Sequence, residues 1–149
     1  RISPRSPPAA IHAARAVRNL ASGAQERTLI FGCGSNVVDY FYKVQAFPKP
    51  GAKGFFADRF RPLANTVVGG VTLNHLAWAH ALGAKSGLIA LQGDDPSGHI
   101  IRDQLEAYGM DTSGVSVSKD NCTSVSHIFL DRSGERCIVM APASTSAID

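Results

Sequence analysis

The stretch VVGGVTLNHLAWAHALGA, Val67–Ala84, decides the reading of the fold. Leu73, Leu76, Ala77, Ala81 and Leu82 recur at three- and four-residue steps, and Gly83 is a natural stop, so a helix is expected over Thr72–Leu82. Immediately before it stand two glycines, Gly69 and Gly70, and its opening turn holds Asn74. Paired glycines let backbone approach a ligand closely and tolerate the φ changes of a hinge. An asparagine there offers both a donor and an acceptor. The plainer alternatives are a simple loop for the glycines and a cap or satisfied core amide for Asn74.

Working outward, the punctuation is regular from Arg27 onward. TLIFGCG reads as a strand running into a turn, and NVVDYFYKVQAF as a β-branched and aromatic strand closed by PKPG. GFFADRF and NTVV are further short strands. Beyond the helix, KSGLIALQG is an apolar strand. DDPSGHIIRDQLEAYGM then starts a second helix, with Asp95 as N-cap, Pro96 at N1 and Gly109 as the stop. Ile100, Ile101, Leu105 and Tyr108 form its expected buried stripe. GVSVS, TSVSHIFLD and ERCIVMA are strand-like, the last two joined by RSG as a hairpin. Strand–helix–strand units beside strands with no helix between them predict a layered α/β core plus a separate small sheet.

Composition narrows the function classes. The 149 residues suffice for one domain with a proper core, and no apolar run approaches membrane-spanning length. The net charge of +3 is uneven: residues 1–25 carry four arginines and no acid, while the rest holds 11 basic and 12 acidic side chains. The body therefore has no electrostatic footprint for nucleic acid. Residues 1–26, rich in Arg, Ser and Ala, have the composition of a transit peptide for a mitochondrion or plastid; a disordered tail is the alternative, and the protein would then be cytoplasmic. Cys33, Cys122 and Cys137 are odd in number, lack metal-ligand spacing, and are expected as buried thiols.

Several tempting motifs fail in context. GCGSNV has Val37 where a dinucleotide fingerprint needs its third glycine, and strand-like sequence follows it. No Gly-x-x-x-x-Gly-Lys phosphate loop is present, and His75 and His80 lie five apart without a helix-spaced partner. Asp39, just after the first strand in GSNVVD, is a turn carboxylate or a ligand group.

What remains is an ordered series: GSNVVD with Asp39, Gly69-Gly70 with Asn74, LQGDDPSG, YGMDTSGV and TSVSHIFLDRSGER. This series resembles the N-terminal portion of the ribokinase-like (pfkB) carbohydrate kinase family, over about residues 28–149. Two positions depart from the family's first signature: Thr72 stands where Gly, Ala or Pro is usual, and Leu76 where a small residue is usual. Thr72 is expected to alter the sugar pocket.

The resemblance implies a partial ribokinase-like layered α/β core with a small β-sheet lid, residues 27–149 being its N-terminal part. It implies lid strands near Val37–Phe47 with Gly54–Val68, and near Val115–Val117 with Thr123–Ala141, in some members pairing with a second subunit as a homodimer. Asp39, Gly69, Gly70 and Asn74 would bind a sugar or nucleoside substrate. ATP, Mg²⁺ and in some members a monovalent cation would serve the complete enzyme. Its catalytic base, anion hole and nucleotide pocket would lie in a GAGD-type motif further along than ASTSAID, so no catalytic, cofactor or metal residue is assigned to this chain. The alternative is a non-catalytic kinase-like structural subunit of an organelle assembly.

Overall fold

The computed structural model describes residues 29–57 and 66–141, so the transit-like segment and part of GFFADRF lie outside the described residues. Two sheets form. In the core sheet, β4 (Lys85–Gly93) runs parallel to β1 (Leu29–Cys33) on one side and to β5 (Asp111–Ser118) on the other. In the second sheet the order is β3 (Thr66–Gly69), β2 (Val37–Lys43), β6 (Val125–Leu130), β7 (Arg136–Ala141). There β2 is antiparallel to β3 and parallel to β6, and β6 and β7 form the expected antiparallel hairpin. GFFADRF contributes an isolated bridge, Phe56 to Val44, rather than a named strand among its described residues.

One strand changes place. Val115–Val117, expected in the lid, belongs to β5 and pairs with β4 in the core sheet. A helix between two strands favours a parallel return to the same sheet, and α2 (Pro96–Tyr108) supplies that crossover from β4 to β5. Val115 packs against the core cluster, while Val117, two residues on and so on the same face, is exposed towards the end of this edge strand.

The first helix, α1 (Val71–Ala81), ends at Gly83, whose φ of +106° suits glycine, and α2 ends at Gly109 in the left-handed region. Leu73 and Leu76 of α1, Leu88 and Ala90 of β4, and Ile101 and Leu105 of α2 form one buried cluster with Val38 and Met110. Leu82, part of the apolar periodicity, is exposed, as are Val71 and Trp78. On the opposite side of the core sheet Leu29, Phe31 and Ile89 are exposed. Cys33 shares that side with Phe31, Cys122 lies in a connection and Cys137 on the edge strand β7. All three thiols are exposed, which corrects the buried assignment. Among the described residues no helix is long and apolar enough to cross a membrane.

The two sheets are tied at the start of α2. The Asp95 carboxylate accepts from Gly98 N at 2.8 Å, the expected cap, and also from Thr123 N at 2.7 Å, just before β6. Thr123 Oγ1 in turn accepts from Gly93 N at 3.0 Å, at the end of β4. Gly98 is required here: a Cβ would collide with the Gly93 carbonyl oxygen and come 2.9 Å from Thr123 Oγ1.

Burial pushes the Asp95 carboxyl up. Hydrogen bonds from the Thr123 amide, the Gly98 amide, the Thr123 hydroxyl and the Ser97 amide outweigh it and hold it below the ordinary carboxylate range. Because the folded value is depressed, the stabilisation is complete above the unfolded value of about 3.9 and is lost as pH falls through the folded one. Asp95→Ala is expected to lower unfolding free energy by about 1–2 kcal/mol at neutral pH. In urea titrations the gap from wild type should close in acid.

Candidate functional site

Along β2 the side chains alternate. Val38 and Tyr40 turn to the core, and Asp39 turns to the other face. Its register partners are Val67 on β3 and Ser126 on β6, and Ser126 pairs with Met140 on β7. One row across the sheet therefore reads Val67, Asp39, Ser126, Met140. Ser126 is buried, Asp39 half-buried, and the apolar ends Val67 and Met140 are exposed. Burial pushes the Asp39 carboxyl above its ordinary value, and the hydrogen bond from the Ser126 side chain only partly offsets that. The carboxylate lies against Gly69, where any Cβ would collide with its Oδ2. Glycine at this position is what gives the carboxylate its space.

Gly70 follows at once as the N-cap of α1, with φ 105° and ψ 139° and no side-chain cap. A Cβ there would strike the Ser35 carbonyl and come 3.0 Å from Asn36 Cα. Asn74 sits one turn on, its amide donating to Gly70 O at 2.9 Å and its side chain exposed. The structure thus brings Asp39 and Gly69 into contact and sets Gly70 and Asn74 on the adjoining helix start. No hydrogen bond joins the Asp39 and Asn74 side chains among the described residues.

Thr72 packs on the end of β1 and the turn after it. A Cβ on Gly32 would lie 2.8 Å from Thr72 Cγ2, and one on Gly34 would collide with Thr72 Oγ1. The larger residue in α1 is matched by two residues without side chains below it.

Sequence reasoning passed over three polar residues beside this site. Asn36, Gln92 and Ser126 are all buried. The signal for Gln92 was its place as the polar residue in an otherwise apolar strand run, LIALQG. Ser126 was legible only through the register of β6 against β2.

The pfkB family carbohydrate kinase pattern matches residues 64–149, which include Gly69, Gly70 and Asn74. An ATP-dependent ribose-1-phosphate kinase of Halopiger xanaduensis is 34% identical over 71 residues, 48% of this chain and 24% of that protein. Among solved structures, a Methanocaldococcus jannaschii nucleoside kinase of the ribokinase family superposes with a TM-score of 0.65 at 22% identity, over 82% of this chain and 39% of that one. Ribokinase from Cryptococcus neoformans in complex with ADP gives 0.64 at 22% identity, over 80% of this chain and 36% of that one. The chain thus spans about a quarter of the curated relative and well under half of these structures. With the matched segment covering more than half of the chain and the ribokinase-like fold shared, this chain belongs to the pfkB family of carbohydrate kinases.

Proposed function

We propose that the complete protein transfers the terminal phosphoryl group of ATP to a hydroxyl of a sugar, or of a nucleoside, and that Asp39, Gly69, Gly70 and Asn74 bind that acceptor. The observation that supports this most is the half-buried carboxylate on the face of the small sheet turned away from the core cluster, seated against Gly69 beside the start of α1. An ionised carboxylate accepts from two hydroxyls at once, and the Asn74 amide serves a third of either sense. Val67, next to Asp39 in its row, and Met140, beyond Ser126 at the far end, suit the apolar faces of a sugar ring. FPKPG and the spacing of the lid strands favour a sugar over a nucleoside.

In the transfer, the acceptor oxygen forms a bond to the terminal phosphorus, the bond to the bridging oxygen breaks, and ADP leaves. The role of these residues is to orient the hydroxyl and, through the lid sheet, to keep out water that would otherwise accept the phosphoryl group. Among the described residues no three His, Cys, Asp or Glu side chains cluster to hold a metal ion, so no Mg²⁺ step is routed through them. The proton acceptor and nucleotide site are likewise assigned to none of them. The same reading carries a homodimer through the lid, since the six residues of β7 are all exposed, Ile138, Val139 and Met140 among them.

The reading is tested by ADP release from the complete protein across pentoses, hexoses and nucleosides. Stimulation by one class is expected; a folded protein stimulated by none favours the non-catalytic organelle subunit. Asp39→Asn is expected to lower kcat/KM for the acceptor about 100-fold, the scale of a lost hydrogen bond to a charged group, with KM for ATP little changed. The raised carboxyl predicts that the acid limb of kcat/KM lies above the ordinary value of 3.8. A folded-state value above the unfolded one means that ionised Asp39 destabilises the fold at neutral pH. The impaired Asp39→Asn variant should therefore melt at a higher temperature than wild type, and calorimetry will read the sign. Sedimentation at micromolar concentration should show a dimer that Val139→Lys weakens; a wild-type monomer would refute pairing through the lid.

A further inference from the structure

A line of hydrogen-bonded polar side chains, buried at Gln92 and Asn36, runs beneath the candidate site, and nothing in the binding scheme above uses it. Arg102 of α2 donates from Nη1 to Gln92 Oε1 at 3.1 Å and to Gly93 O at 3.4 Å. Gln92 donates from Nε2 to Asn36 Oδ1 at 3.0 Å, and Asn36 donates from Nδ2 to Gly34 O at 3.4 Å. Gln92 and Asn36 are both 0% exposed. At its outer end, Arg102 Nη2 lies 3.1 Å from His99 Nδ1.

The chain has a direction. A guanidinium is donor-only, so it holds the carbonyl oxygen of Gln92 toward itself and sends the Gln92 amide nitrogen toward Asn36. That in turn turns the Asn36 oxygen to Gln92 and its nitrogen to the Gly34 carbonyl. A flipped amide at either residue would face oxygen with oxygen or nitrogen with nitrogen in a dry interior, where an unsatisfied group costs about 1–3 kcal/mol.

What this orientation fixes is the Gly34–Asn36 turn, and that turn touches both halves of the site. Asn36 leads directly into β2, three residues before Asp39. On the other side, α1 begins at a glycine with no side-chain cap, and the Ser35 carbonyl accepts the Leu73 amide at 3.4 Å in its stead. Gly70 lies flush on Ser35 and Asn36, so the turn and the helix start move together.

We propose that Arg102, Gln92 and Asn36 are positioning residues that hold the start of α1 against β2, and so set the spacing between Asn74 and Asp39 on which acceptor affinity depends. The proposal rests on the kinase reading for its effect on affinity and on the geometry alone for its effect on α1. In the complete protein, Gln92→Met and Arg102→Met are expected to raise KM for the acceptor about tenfold, with KM for ATP within twofold. Arg102→Lys keeps a donor for Gln92 and is expected to stay within threefold of wild type. Hydrogen exchange should quicken tenfold or more at the Leu73 and Asn74 amides of Gln92→Met, relative to Leu105 in α2. A lowered melting temperature with both KM values unchanged would show a purely structural network and overturn the proposal. Wild-type protein that phosphorylates no sugar or nucleoside would overturn the kinase reading and the affinity claim with it. Unchanged exchange at Leu73 would overturn the positioning claim in either case.

Discussion

The site depends on a steric condition at two consecutive residues. Any side chain at Gly69 would occupy the place of the Asp39 carboxylate, and any side chain at Gly70 would strike the Ser35 carbonyl. Gly70 also holds a backbone conformation, φ 105°, that other residues rarely adopt. With both side chains absent, β3 closes on β2, the helix turns off at once, and a carboxylate and an amide end up on neighbouring elements. The same two glycines therefore serve packing, helix initiation and access to the acid.

The surrounding fold serves to hold this junction. Two sheets that share few direct contacts are joined through the start of α2, where Asp95 bonds the first turn of the helix and the chain entering β6. Thr123 bonds back to Gly93, so the end of the core strand, the helix and the lid strand meet at one point. Ser126, three residues along the chain from Thr123 and buried beside Asp39, belongs to the strand anchored there. Because parallel sheets are ordinarily covered on both faces, the exposed Leu29, Phe31 and Ile89 mark the side of the core sheet that no described element covers.

Much of this was legible in the sequence, because the signals were local. Asp95 followed by Pro96, the glycine stops at Gly83 and Gly109, and the RSG hairpin are statements about caps and turns, and each is found where expected. The misplaced strand at Val115–Val117 shows the limit: the strand itself is found, but which sheet it joins is settled by the α2 crossover. The cysteines were misjudged for a related reason, since an average preference for burial says nothing about an edge strand or an uncovered face. At the site, Asp39 and the glycine pair could be picked out by residue type and order. The Gln92–Asn36 pair could not, because hydrogen bonding between residues 56 apart in sequence leaves no local pattern.

The central claim is geometric: the Asp39 carboxylate and the Asn74 amide address one bound polyol. A crystal structure of the complete protein with its acceptor tests it most directly. The account predicts acceptor hydroxyls within hydrogen-bonding distance of both side chains, with the ring lying over Gly69 and Gly70. An acceptor bound elsewhere, or one held by Asp39 while Asn74 points into solvent, would contradict it.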